Sequence, residues 1–253
     1  VTATLATGNT ASFSALNTAA TDVITINISD NPSVTNLNTI AGKTAGVVTA
    51  TLATGNTASF SALNTAATDV ITINISDNPS VADLNTIAGK TAGVVTATLA
   101  STAKADLVAL STVSTDVITI PVSDTVSVSE LNTIAGKTAG PVTATVTTGN
   151  TASFSSLATD ANDIITINIS DNPSVSDLNT IAGKTGGVVT ATLATGNTAS
   201  FSALDTAATD VITINISDNP SVSALNTIAG KTGGVVTATL ASTAKADLVA
   251  LST

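Results

Sequence analysis

Val23-Ile24-Thr25-Ile26-Asn27-Ile28-Ser29-Asp30-Asn31-Pro32, with the following Ser33-Val34-Thr35-Asn36-Leu37-Asn38-Thr39-Ile40-Ala41-Gly42, decides the fold. The first stretch alternates: Ile24, Ile26 and Ile28 fall on one face, and Thr25, Asn27 and Ser29 on the other. Period two in β-branched residues predicts a strand with one buried side. Asp30-Asn31-Pro32 is turn chemistry and ends it. In the second stretch Val34, Leu37, Ile40 and Ala41 stand at i, i+3, i+6 and i+7, one side of a two-turn helix. Gly42 reads as its C-terminal stop.

Outward from this unit, the chain repeats every 47 residues without a gap. Copies cover 1–47, 48–94, 95–141, 142–188 and 189–235, with a partial copy at 236–253. The second differs from the first only by Thr35 to Ala82 and Asn36 to Asp83. Helix starts sharpen between copies: Ser80 precedes Asp83, Ser127 precedes Glu130 and Ser174 precedes Asp177, each with capping-box spacing. A fixed period of this size means stacked units that share one core, so 1–253 reads as one continuous solenoid.

The first half of each unit follows the same plan. Val1, Ala3 and Leu5 point inward, Thr2 and Thr4 outward; Thr7-Gly8-Asn9 turns; Phe13 and Leu16 continue at helical spacing. In the third copy this becomes Ser101–Leu110, a stronger helical pattern, and it returns at Ser242–Leu251. The expected fold is a right-handed parallel β-solenoid with one strand and one short helix or helical turn per coil, two coils per repeat. At ~4.8 Å per strand, a repeat advances about 9.6 Å.

The rhythm Ile26-x-Ile28-x-x-Asn31 resembles leucine-rich repeats, over the second half of each unit only; the likeness implies a coil shape and no ligand. Val122-Ser123-Asp124-Thr125-Val126-Ser127-Val128-Ser129-Glu130-Leu131-Asn132 is similar to phrases in the long Thr/Ala/Val/Asp-rich repetitive surface proteins of bacteria, cyanobacteria among them. That resemblance implies an extracellular or cell-surface filament, sheath or adhesin stalk. The terminal coils would expose unpaired strand edges, so the expected partner is the chain itself, by axial continuation or lateral association. The calcium-binding Gly-Gly-x-Gly-x-Asp nonapeptide is absent.

Composition narrows the function. There is no Cys, His, Met, Trp, Tyr or Arg, and seven Lys face seventeen acidic residues for a net charge of -10. Nucleic acid finds neither a basic patch nor a stacking platform. No apolar run approaches the ~20 residues of a membrane span. Near-identical copies give every acidic group the same surroundings, whereas catalysis needs a few groups placed unlike the rest. The expectation is no enzyme and no cofactor. The chain opens and closes inside its own pattern, as a slice of a longer protein does.

Four features are candidate sites. Ala41-Gly42-Lys43-Thr44 resembles the end of a phosphate loop, but position 37 is Leu where such a loop needs Gly, and Gly42 follows a helix instead of opening one; the reading is a helix stop with a solvated Lys. Asn-Ile-Ser at Asn27, Asn74, Asn168 and Asn215 matches a glycosylation sequon on an expected strand. Asp22, Asp30, Asp69 and Asp77 begin two acidic ladders, read as turn residues or as calcium ligands. Thr2, Thr4, Thr25, Asn27, Thr49, Thr51, Thr72 and Asn74 form the outward surface ladder. It is either a structural ladder or a water- or surface-binding face, since Thr-x-Thr arrays on solenoids resemble ice-binding faces.

Overall fold

The computed structural model describes residues 1–240 and 245–251, so most of the Ser242–Leu251 element is described and its first three residues lie outside. By contacts the chain divides into two compact units: Val1–Ser123 with Gly136–Pro141, and Asp124–Ala135 with the chain from Val142 onward.

Strand and helix alternate throughout. The first unit holds β1 (Thr2–Thr4), α1 (Thr10–Ser14), β2 (Val23–Asn27), α2 (Val34–Ala41), β3 (Val48–Thr51), α3 (Thr57–Ser61), β4 (Val70–Asn74), α4 (Val81–Ala88), β5 (Val95–Thr98) and α5 (Lys104–Leu107), then most of β6 (Val117–Val126). The second holds α6 (Val128–Ala135), β7 (Val142–Val146), α7 (Thr151–Phe154), β8 (Ile164–Asn168), α8 (Val175–Ala182), β9 (Val189–Thr192), α9 (Thr198–Phe201), β10 (Val211–Asn215), α10 (Val222–Ala229), β11 (Val236–Thr237) and α11 (Lys245–Val249). Within each unit the strands pair in parallel and in chain order. This is the expected solenoid: a strand plus a helix per coil, two coils per repeat.

The cores match the periodicity. Ile24, Ile26, Ile28, Leu37 and Ile40 are buried, as are Ile71, Ile73, Ile75, Leu84 and Ile87 one repeat later. The capping boxes form as spaced: Ser80 Oγ accepts from Asp83 N–H at 3.1 Å, and Ser127 N–H donates to Glu130 Oε2 at 2.8 Å.

Four expectations are corrected. Gly42 ends α2 as expected, but as a right-handed C-cap with φ of -65° and not in the left-handed conformation usual for a glycine stop; no described glycine has positive φ. The glycine that the fold requires is Gly46, where a Cβ would lie 2.4 Å from the Ile24 carbonyl oxygen; Gly93, Gly140, Gly187 and Gly234 repeat the approach. The Lys is half-buried instead of freely solvated: Lys43 Nζ donates to the Leu16 carbonyl, and Lys137 and Lys184 do the same to Leu110 and Leu157. The helix expected over Ser101–Leu110 shrinks to α5, because Thr102 N–H is drawn to the Pro121 carbonyl at 3.0 Å and Ala103 supplies no side-chain cap.

The fourth correction is the register. Thr4 pairs with Thr25, 21 residues on, and Ile26 with Val48, 22 on. Pairing therefore advances 43 residues while the sequence repeats every 47. Equivalent residues slip by four per repeat, about 13 Å along the strands, besides the ~9.6 Å across them. The same offsets hold in the second unit, Thr143 to Ile164 and Ile167 to Val189. Repeats are displaced by about 16 Å, not 9.6 Å.

Candidate functional site

The slip leaves the start of each second strand facing a coil whose own strand has not begun. Thr44 fills that place. Its buried hydroxyl accepts from Ile24 N–H and Gly46 N–H, both at 2.8 Å, and lies 2.8 Å from the Ile24 and 3.0 Å from the Asp22 carbonyl oxygens. The absence of a Cβ at Gly46 is what lets the backbones come this close. Thr91, Thr138, Thr185 and Thr232 do the same.

Asp69 closes the coil from the other side. Its Oδ1 accepts from Val48 N–H and its Oδ2 from Ala66 N–H, each at 2.8 Å, with the residue 3% exposed. Asp116, Asp163 and Asp210 repeat the clamp; at Asp22 the terminal ammonium of Val1 stands in for the backbone N–H, at 2.6 Å. Asp30 and Asp77 each take an N–H and a hydroxyl from Thr10 or Thr57 through Oδ1. The Thr hydroxyl, seconded by that N–H, holds the carboxyls of Asp30, Asp77, Asp171 and Asp218 below their ordinary value.

The four candidate calcium ligands are thus occupied by donors of their own chain. Among the described residues no three His, Cys, Asp or Glu side chains come together as a metal site.

Sequence reasoning missed three further clamps. Asn38 spans α2 and the next coil: its Nδ2 donates to the Ala62 carbonyl and its Oδ1 accepts from Asn64 N–H, both at 2.8 Å. Thr18 Oγ1 donates to the Lys43 carbonyl at 2.8 Å. Thr44 is the third. All three are invariant across the full copies, whereas exposed Asn17 becomes Asn64, Ser111, Ala158 and Asp205. That contrast between copies was the available signal.

The outward ladder lies where expected, exposed or half-exposed, but its rows are short. Thr4 meets Thr25, and Thr51 meets Thr72, while Thr2 meets Val23, Thr49 meets Val70 and Asn27 meets Thr49. The slip carries each Thr–Thr pair off its row within two strands. Asn27 and Asn74 of the sequons sit inside paired strands. On the helical side, open grooves recur between the longer helix of one coil and the short helix of the next. One of about 730 Å³ is bordered by Ser127, Asn132, Thr147 and Ser153, with no ionisable side chain in its lining.

No protein-family model matches the chain, and no curated protein is significantly similar to it. No helix among the described residues is long and apolar enough to cross a membrane.

Proposed function

We propose that the chain is a mechanical element, a segment of an extracellular fibre, sheath or adhesin stalk in which stacked coils carry the load. One observation carries this reading. The polar side chains a catalytic or ligand site would recruit (Asp69, Thr91, Asn85 and their equivalents) are spent on backbone groups of the neighbouring coil, 20 to 26 residues away. Such clamps add up along a stack, since each repeat touches only its neighbours. On this reading the chain is neither an enzyme nor the holder of a resident cofactor. An acidic chain without Cys suits the cell exterior. Microscopy of native material labelled with an antibody against the repeat tests the proposal. Labelled filaments outside the cell are expected, and label confined to the interior overturns it.

The rival, a water-ordering face, keeps the exposed Thr-x-Thr pairs in its favour and loses the long straight rows that ice matching needs. Thermal hysteresis of the chain at high concentration separates the two: its presence favours the rival.

A further inference from the structure

The Thr positions of the outward sheet face are fixed and exposed or half-exposed, and their hydroxyls take no part in the clamps between coils. Position Thr2 and position Thr4 are Thr in all six copies, and position Thr25 is Thr in all five that contain it. Exposed helix positions drift freely: Thr35 becomes Ala82, Ser129, Ser176 and Ser223. Yet among the described residues no hydroxyl of Thr4, Thr25, Thr51 or Thr72 has a hydrogen-bond partner, unlike the fixed Thr18, Thr39 and Thr44. Strand preference alone would accept Val or Ile, as it does where Val23 becomes Ile164. Beside these hydroxyls stands one exposed aliphatic side chain per repeat: Val23 46%, Val70 39%, Val117 39%, Ile164 46% and Val211 42%. None of the ladder positions equivalent to Thr2, Thr4, Thr25 and Asn27 carries a charge, in a chain of net charge -10.

We propose that this face is the lateral contact of the fibre, and that its occupant is the same face of a second copy of this chain. An acidic protein meets its own kind most readily where it is uncharged, because like charges set opposite one another oppose association. The face offers methyls to bury and unpartnered hydroxyls that can pair across the contact. Because the pattern repeats, a shift of one whole repeat restores the match, so copies join at many staggers and the contact strengthens with repeat number. Two strands of about five residues present roughly 150 Å² per repeat, so a standard interface of ~800 Å² per partner takes about five repeats.

This deepens the fibre reading, and its test keeps the two apart. Lys is placed once per repeat on the face, as Thr25→Lys, Thr72→Lys, Thr119→Lys, Thr166→Lys and Thr213→Lys. A control carries Lys at Thr35, Ala82, Ser129, Ser176 and Ser223. Both raise the net charge from -10 to -5, so global repulsion falls equally in each. Sedimentation of the full chain is expected to show association of the parent and the control, and single chains for the face variant with an unchanged circular dichroism spectrum. A parent that stays a single chain at high concentration overturns the proposal, as does a folded face variant that associates like the parent. Where the Lys set does not fold, Thr→Ser at the same five positions replaces it: at least tenfold weaker association is expected, and no change overturns the proposal. Single unbundled filaments of the parent under the microscope would remove the lateral contact and leave the fibre standing.

Discussion

Thr91→Val removes one hydroxyl and keeps the shape of the side chain. In the parent that hydroxyl accepts from Ile71 N–H and Gly93 N–H, both at 2.7 Å, and stands 2.9 Å from the Ile71 carbonyl oxygen. Ile71 is fully buried and Gly93 half-buried. An unsatisfied buried donor costs about 1–3 kcal/mol, and a half-buried one less because water reaches it, so the variant loses about 2–4 kcal/mol. The loss is local, since a solenoid coil answers chiefly to its neighbours. Amide exchange measures it directly: Ile71 N–H is expected to exchange roughly 30-fold faster or more, at 1.36 kcal/mol per decade. Thr72→Val is the matched control. That hydroxyl faces outward with no partner among the described residues, so stability changes by less than ~0.5 kcal/mol. A Thr91→Val protein within that margin of the parent, with Ile71 exchange unchanged, refutes the idea that the hydroxyl completes the ladder.

Three further outcomes are expected. Gly93→Ala brings a Cβ within 2.5 Å of the Ile71 carbonyl oxygen and destabilises by about 3 kcal/mol in chemical denaturation, whereas Gly89→Ala, with φ of -65° and its nearest contact at 3.3 Å, is neutral or slightly stabilising. Gly55→Thr drives a Cβ to 3.0 Å from the Phe60 ring, and adding Phe60→Leu relieves it, as the third copy does with Thr102 and Leu107; a double-mutant cycle is expected to show a coupling of about 1–3 kcal/mol. The carboxyls of Asp30, Asp77, Asp171 and Asp218 titrate below their ordinary value when folded, so their contribution is complete above the unfolded value near ~3.9 and fades as pH falls through the folded one. Thermal midpoints should therefore be flat from about pH 5 to 8 in respect of these groups and fall below about pH 4, less steeply in Thr57→Val.

The coil was legible because its causes are local. Alternation over Val23–Ile28 and the spacing of Val34, Leu37 and Ile40 each act within one element, and Ser80 with Asp83 acts within one turn. The register was not legible, because a sequence period gives the length of a coil and not how far one strand slides along the next. Thr44 and Gly46 set that slide from another coil, and neither belongs to a strand or a helix. In Ala41-Gly42-Lys43-Thr44-Ala45-Gly46 two glycines and a Lys compete for notice, and helix rules point to Gly42. The close approach of Gly46 to the Ile24 backbone exists only once the neighbouring coil is in place. The Asp ladders were half legible for the same reason: the bond from Ala66 N–H to Asp69 is the local turn role, but the second donor to Asp69 is Val48 N–H, 21 residues upstream, and Asp77 draws on Thr57, 20 upstream, which no spacing rule within a turn reveals.

The third copy shows which of these causes specifies the fold. It exchanges Gly8 and Phe13 for Thr102 and Leu107, Asn27 for Pro121, and Pro32 for Val126, and there the strand runs on to Val126, whose carbonyl accepts from Thr147 N–H at 2.8 Å. It keeps Asp116, Asn132, Lys137, Thr138 and Gly140. Asp116, Asn132 and Thr138 hold the same backbone partners as in the other full copies, Lys137 the same as Lys43 and Lys184, Gly140 makes the same close approach, and β5 pairs with β6 at the usual offset. Core volume and even turn chemistry are therefore negotiable, provided that their partners change together. The Asp, Asn and Thr clamps are not, because each reaches a named backbone atom 20 to 26 residues away, and an insertion between the two partners would strand the pair. A period of 47 residues held without a gap is what such clamps impose on a chain. They impose nothing on the outward Thr positions, so the constancy of those positions points to something outside the coil.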